Sequence, residues 1–558
     1  MTVNATRSAS ATHQVFNQSP VFEEVDLLNT DIVLRSCLKQ FASPDSGKKL
    51  SKFGIFTGSA AAREIGRLAN ENPPRLKNFD SRGYRQDFVE FHPAYHAAMR
   101  HSMELGLHAS TWDYLQEDKP PAGPAHVERV AGSYLAVQME PGHCCPITMT
   151  HASLASLKDN SDLLSDWLPK ILSRSYDPSF QPVTRKKSAT IGMGMTEKQG
   201  GTDVRANTSE AAPNSGNGSS DYTLSGHKWF VSAPMSDAFL MLAQAPAGLT
   251  CFFVPRFLPD GSLNGLHIQR LKDKLGNRSN ASSEMEFDSA QGWRIGEEGR
   301  GVPTIIEMVT LTRLDCAVSS AAMMRQALAH AVHHCRYRKV FDKELADQPL
   351  MAQVLADLAL DWEAATWLSF RLAKSFDGHG SEREQIIRRV MTPVTKFWCC
   401  KMAPAFVYEA MECLGGNGYI EDGILARLYR EAPVNAIWEG SGNVMCLDLL
   451  RILHSEKSLF DQFAQILHEM CRDDTRLANA CGDLFKSLAS AVDAEGAARE
   501  FVEKLARLFA ASQLRNFAPE FVADGFINSR ITGDWRHCYG AGAYLPDKDR
   551  IVARVGQF

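Results

Sequence analysis

The chain has no stretch of about eighteen apolar residues, so no membrane-spanning helix is expected. It has no CxxC pair and no Cys/His ligand spacing, although it carries 13 cysteines, including the adjacent pairs Cys144-Cys145 and Cys399-Cys400. A zinc site is therefore not expected. An odd number of scattered cysteines in a long chain argues against a secreted disulfide framework and for buried, reduced thiols. That points to the cytoplasm rather than the mitochondrial matrix. The first twenty-two residues contain no acid and one cation, Arg7. A mitochondrial presequence needs more positive charge and an amphipathic helix, so this segment reads as a flexible, polar arm. Neither sign of charge dominates. The 60 Lys and Arg face 65 Asp and Glu, a net charge of -5, which excludes a general polyanion binder. Internal repeats and low-complexity tracts are also missing.

What is present is ordinary globular composition, 44% hydrophobic and 22% charged over 558 residues. At roughly 150 residues per domain this is about three or four domains, or one elaborate enzyme subunit. After an N-terminal arm (1–24), residues 25–185 read as helical. Apolar side chains recur at helical spacing from Ala61 to Leu68 and from Val127 to Met139, and Pro73-Pro74 and Pro120 to Pro124 interrupt them. Residues 186–300 carry short β-rich runs: Tyr222-Leu224, Trp229-Val231, Phe239-Ala243, Leu249-Val254 and Ser283-Phe287, with Asn214 to Gly218 as a loop. They suggest an antiparallel barrel or sandwich. Helical periodicity returns over 301–455, notably from Met323 to Val340 and from Gln353 to Phe376. Pro393, Pro404, Gly415-Gly416 and Pro433 are expected to divide this region into a bundle of antiparallel helices. A helical extension, 456–558, follows. The segregated order of helices, strands and helices is an α+β organisation.

Several segments carry chemistry. They are Met193 to Val204 (MGMTEKQGGTDV), Gly226 to Ser232 (GHKWFVS), Arg338 to Phe341 (RKVF), Leu414 to Tyr419 (LGGNGY) and Ile437 to Asn443 (IWEGSGN). In this order and spacing, over about residues 90 to 450, they resemble the motifs of the acyl-CoA dehydrogenase flavoproteins. Lys198 stands where that family commonly has Pro, Trp438 where it commonly has Tyr, and about a hundred residues extend the C-terminus. These departures, with Val15-Phe16-Asn17-Gln18, are similar to the AidB branch of the family.

The resemblance implies an N-terminal helical domain, a central β-domain, a C-terminal four-helix bundle, FAD as cofactor, fatty acyl-CoA as ligand and a homotetramer. The electron acceptor is not implied. Glu439 would be the base that takes the α-proton of the thioester while hydride passes to flavin N5. An apolar pocket raises such a carboxylate toward the working pH. Gly440, flanking Glu439, would let backbone approach the cofactor. The local alternative is a Glu that caps a helix. Flavin contacts would come from Met193, Met195, Thr196, Gly201, Thr202, Phe230, Val231, Ser232, Gly415, Gly416, Ile437, Trp438, Ser441 and Asn443. Gly200-Gly201 alone would read as a turn. Arg338 and Phe341 would reach the FAD of a neighbouring subunit, the Arg fork suiting pyrophosphate; on local sequence Arg338 could equally lie on a solvated helix face. Asp342 occupies a family Gly position. Arg313, with Thr196, would contact acyl-CoA, or Arg313 would be a surface arginine. His330, His333 and His334 read as solvated histidines, since no carboxylate or Cys completes a metal set.

Three roles stay open: an FAD-dependent acyl-CoA dehydrogenase, a flavoprotein that senses or sequesters an acyl-CoA with little turnover, and a DNA-associated protein protecting against alkylation. The third would draw on Lys and Arg contacts to phosphate. From Glu456 to Phe558 there are thirteen Lys and Arg against fifteen Asp and Glu, a balance of -2, and the signs are interspersed, so a nucleic-acid partner is not expected.

Overall fold

The computed structural model describes residues 12–117, 123–214, 220–491, 495–533, 538–541 and 545–556. The N-terminal part contains α1 (Ile32–Phe41), α2 (Ser46–Thr57), α3 (Ala60–Glu71), the hairpin β1 (Arg75–Phe79) and β2 (Arg85–Glu90), α4 (Pro93–Leu105), α5 (Tyr114–Glu117), α6 (Ala125–Met139), α7 (Cys144–Leu157) and α8 (Ser161–Ile171). Caps set several of the boundaries. Asp31 accepts from the Leu34 amide at the start of α1, and Ser59 accepts from Ala62 at the start of α3. The hairpin corrects the all-helical expectation for 25–185. Its strands follow Pro73-Pro74, and Asn78 and Arg85 donate to the carbonyl of Ile268, which ties the hairpin to the β-domain.

The β-domain contains β3 (Ile191–Gly194), β4 (Glu210–Pro213), β5 (Asp221–Ser232), β6 (Ala238–Ala245), β7 (Gly248–Pro255), β8 (Leu266–Leu271) and β9 (Ser282–Ile295). The order β3-β6-β4-β5-β9-β7 closes on itself through β6–β7, with β8 beside β9. The expectation of antiparallel pairing holds except where β3 and β4 run parallel to β6. The two runs around Gly226 are one strand, β5, bent by register shifts against β9. The expected loop 214–218 lies largely outside the described residues. Phe239, Met241, Phe252, Val254, Ile268 and Phe287 fill the interior as a separate core.

The C-terminal part is built on α9 (Gly301–Tyr337), a small hairpin of β10 (Lys339–Val340) and β11 (Lys343–Glu344), α10 (Pro349–Phe376), α11 (Glu382–Glu412), α12 (Gly416–Tyr419), α13 (Ile424–Glu431) and α14 (Gly442–Ser455). Pro393 and Pro404 do not divide the bundle, because both lie inside α11. That helix is buried against its neighbours along most of its length, and packing outweighs the hydrogen bonds the prolines cannot make. The extension forms α15 (Lys457–Cys471), α16 (Thr475–Ala491), α17 (Ala498–Phe517), α18 (Glu520–Phe526) and α19 (Lys548–Ala553). It shares the main core: Trp367 of α10 stacks on Phe517 at 5.4 Å, and Arg530 pairs with Asp357 and Asp361 of α10 at 2.6 and 3.0 Å.

The arm is pinned over its described part. Phe22 is buried against the His330 ring at 4.5 Å, His333 Nε2 lies 2.9 Å from the Pro20 carbonyl, and Ser19 lies 3.3 Å from His334. The three histidines are thus not solvated as expected. The arm covers them, and burial lowers their pKa values. Among the described residues no His, Cys, Asp and Glu group could hold a metal, and no helix is long and apolar enough to cross a membrane.

Candidate active site

Glu439 sits in the turn between α13 and α14 with φ +57°, a left-handed conformation uncommon for a side chain of this type. Two buried cations hold that turn by its carbonyls. Lys396 of α11 donates to the carbonyls of Trp438 and Gly440, and Arg313 of α9 donates to that of Glu439 at 3.0 Å. Arg313 is fixed in turn by Asp448 of α14 at 2.8 Å. Three consecutive carbonyls are thereby satisfied in a segment that belongs to no helix. The strain of the left-handed residue is held by charge-assisted hydrogen bonds.

The Glu439 carboxyl accepts from the Thr312 hydroxyl at 2.6 Å. It does not cap α14, whose N-cap position is Ser441. The carboxyl lines a cavity with Thr312, Cys145, Cys316, Asn435 and Trp438. Burial raises its pKa above the ordinary range, against the opposing pull of Thr312, Lys396 and Arg313. A carboxylate displaced toward neutrality by burial is suited to taking a proton.

The first two motifs meet on the β-domain. The Trp229 amide donates to the Thr196 carbonyl at 2.8 Å, and Ser232 lies 3.1 Å from Ser282. Glu197, next to Thr196, is fully buried and forms an ion pair with Lys228 at 2.6 Å while accepting from the Thr208 and Ser209 amides. Burial alone would raise its pKa, but these partners bring it down to about 2. Glu197 therefore fixes the turn that presents Thr196. A side chain at Gly201 would collide with the Thr196 hydroxyl at 2.6 Å, so the glycine keeps that hydroxyl open. Met193 and Met195 are half-buried, Val231 is buried, and Thr202 and Phe230 are exposed, as are Ile437, Ser441 and Asn443 across the turn. Lys198 lies 5.7 Å from the Trp229 ring centroid and Lys272 lies 3.3 Å from it. Hydroxyls, glycine backbone, exposed apolar faces and cations over an aromatic ring make a donor set that fits an aromatic dinucleotide.

Not every expected site residue lies here. Arg338 follows α9 and donates to the Asn17 carbonyl at 2.7 Å; it is not on a free helix face. Phe341 is 90% exposed at the tip of the β10–β11 hairpin. Asp342 takes φ +61°, the conformation a Gly at that position would adopt freely. Gly415 and Gly416 follow Cys413, whose carbonyl lies 4.0 Å from the Cys335 thiol on the last turn of α9. Cys335 is roughly 35 Å along α9 from Thr312 at about 1.5 Å per residue. The expected residues thus form two groups separated along one helix.

Sequence reasoning missed Thr312, Lys396, Asp448, Cys145 and Glu197 as site residues. Lys396 had a signal, a lone cation in the run Val394 to Cys400. Thr312 and Asp448 had none beyond adjacency to named motifs.

The adaptive response protein AidB N-terminal domain matches residues 17–178, the acyl-CoA dehydrogenase middle domain residues 192–290, and the acyl-CoA dehydrogenase C-terminal domain residues 299–454. AidB of Escherichia coli is 44% identical over 508 residues, covering 91% of this chain and 92% of that protein. The structure of Caenorhabditis elegans ACDH-11 in complex with C11-CoA covers all of this chain and 95% of its own, with TM-score 0.82 and 27% identity. A Bacillus anthracis acyl-CoA dehydrogenase complexed with FAD shares the fold, with TM-score 0.69 at 14% identity over 91% of this chain and 90% of its own. On these three matched domains and an identity to AidB that spans nine-tenths of both proteins, the chain belongs to the acyl-CoA dehydrogenase family, in its AidB branch.

Proposed function

We propose that the protein is an FAD-dependent acyl-CoA dehydrogenase in which Glu439 takes the α-proton of an acyl thioester. The observation that carries this reading is the clamped, left-handed Glu439 with its raised pKa, lining a cavity with Thr312, Cys145 and Trp438. FAD is the cofactor of the family, and when bound it accepts the hydride that leaves the β-carbon. Thr196, Thr202, Phe230 and Ser232 on one side, and Ile437, Trp438 and Gly440 on the other, would hold it. Lys396 and Arg313 keep the base pointed inward, and Thr312 orients its carboxyl. The C11-CoA in complex with the C. elegans relative supports an acyl-CoA as ligand.

Arg338, Phe341, Gly415 and Gly416 cannot reach the Glu439 end of their own chain, which supports a symmetric assembly in which they complete a neighbour's cofactor site. At least a dimer is required by that reading, and a homotetramer is the assembly the family resemblance implies. The thiols are all free and, apart from Cys144, Cys145 and Cys538, buried, which supports a reducing, cytoplasmic setting.

The test is anaerobic flavin reduction by acyl-CoA in wild type and in Glu439→Gln. Gln keeps the volume and can accept from Thr312 but cannot take a proton. FAD content and Tm should stay near wild type while reduction slows by roughly 10²- to 10⁴-fold. Reduction at the wild-type rate would remove Glu439 from the mechanism. A wild type that binds acyl-CoA tightly yet never reduces its flavin would favour the lipid-sensing role.

A further inference from the structure

The β10–β11 hairpin is too small to hold its own shape. Each strand has two residues, Lys339 paired with Glu344 and Val340 with Lys343, and even longer isolated hairpins are marginal in water. Its two turn residues, Phe341 and Asp342, both take positive φ, +52° and +61°. Hairpin turns of this kind favour Asn and Gly, and a bulky aromatic residue there is strained. Bonds from beyond the strands hold the hairpin in place. On one side the Leu345 amide donates to the Arg338 carbonyl at 2.7 Å, and Gln348 Nε2 donates to the Val340 carbonyl at 2.8 Å. On the other side stands Asn17 of the N-terminal arm, in the run Val15 to Gln18. Its carboxamide donates to the Lys339 carbonyl at 2.8 Å and accepts from the Lys339 amide at 2.7 Å. One side chain thus pairs with both polar groups of a strand residue, as a neighbouring strand would. The Asn17 carbonyl accepts from Arg338 Nη1 at 2.7 Å. Asn17 makes these contacts with φ +54°, a conformation that Asn tolerates better than most side chains.

Resting on the reading in which Arg338 and Phe341 complete a neighbour's cofactor site, we propose that Asn17 is a positioning residue of that site. The Arg338 guanidinium is half-buried, and no carboxylate pairs with it among the described residues. The bond it makes to Asn17 is to a neutral carbonyl, so its charge stays available to an anion such as a pyrophosphate. Asn17 therefore fixes where that charge points without neutralising it. Through Lys339 the same residue steadies the strand that leads to Phe341, which is exposed at the tip. The arm does not depend on this contact. His333 Nε2 lies 2.9 Å from the Pro20 carbonyl, Arg63 donates to the Phe22 carbonyl at 2.6 Å, and Ser19 lies 3.3 Å from His334. Losing the Asn17 side chain frees the hairpin and leaves the arm anchored.

The experiment measures the FAD dissociation constant of the full-length protein, from flavin fluorescence on dilution. It compares wild type, Asn17→Gly, Arg338→Ala, the double variant and Ser19→Ala. Gly keeps the left-handed backbone and the carbonyl that meets Arg338, and removes only the two side-chain bonds. Asn17→Gly should weaken FAD binding by about tenfold, the scale of two neutral hydrogen bonds. On the Arg338→Ala background the same change should have a much smaller effect, because it acts through that guanidinium. Ser19→Ala changes the arm at its next contact without touching the hairpin, and it should match wild type. If Arg338→Ala loses FAD while Asn17→Gly holds it like wild type, the role of Asn17 is overturned and the shared site stands. A full tenfold effect of Asn17→Gly on the Arg338→Ala background would also overturn that role, as would an equal loss in Ser19→Ala. Wild-type affinity in Arg338→Ala would overturn the shared site itself, and this inference with it.

Discussion

At the scale of single residues, the site depends on a carboxyl whose two protonation states are finely opposed. Burial favours neutral Glu439, and the Thr312 hydroxyl favours the carboxylate. Only the carboxylate can act as base, so flavin reduction should rise with pH through a pKa above the ordinary Glu range. In Thr312→Val the opposing hydrogen bond is gone and the pKa should rise further. The acid limb of the pH–rate profile should then move to higher pH, with the plateau at high pH less affected. An acid limb that stays put or moves to lower pH would show that Thr312 does not tune the base. For stability the sign follows from the same raised pKa. The contribution of this group is present at low pH and is lost as pH rises through the folded-state pKa.

At the scale of elements, charges fasten the extension to the bundle. Arg530 is 1% exposed and lies between Asp357 and Asp361 of α10, and Arg554 forms an ion pair with Glu363 on the same helix at 2.5 Å. Removing Arg530 alone strands two buried carboxylates. Arg530→Met should therefore destabilise the protein by about 3–5 kcal/mol, read as a lower Tm and an earlier denaturant midpoint. A Tm unchanged within error would mean that apolar contacts such as Trp367–Phe517 alone hold the extension. Other cations of the extension are paired in the same way. Arg476 and Arg515 both bind Asp474 and Asp524, and Lys504 binds Glu500. Those side chains neutralise local carboxylates, which agrees with the -2 balance and weighs against a phosphate-binding face.

At the scale of the whole molecule, the proposed shared site, with its two groups of residues separated along α9, would couple cofactor to assembly. Arg338→Ala removes a guanidinium from the far group without touching the Glu439 cavity. The variant should lose FAD more readily and sediment with a larger fraction of smaller species, the two effects rising together as protein concentration falls. Monomers that keep full FAD occupancy would contradict a shared site. The arm belongs to this scale too. It packs from Asn17 to Phe22 across His330, His333 and Lys339, so it braces the hairpin that carries Phe341.

The sequence by itself determined the class of the fold and the position of the β-domain, and its resemblance to a family singled out Glu439 as the candidate base. These are written in periodicity, turn residues and motif order, all short-range features. It did not determine that Pro393 and Pro404 lie within one helix, that the strands around Gly226 are continuous, or that the β1–β2 hairpin interrupts the first helical region, because packing against neighbours decides these. Only the tertiary structure brought Thr312, Lys396 and Arg313 onto Glu439 from two other helices. It likewise set Arg129 of α6 against Asp315 of α9, 186 residues apart. A buried charge is stable only beside its partner, and that partner is chosen by the fold in three dimensions rather than by its neighbours in the chain.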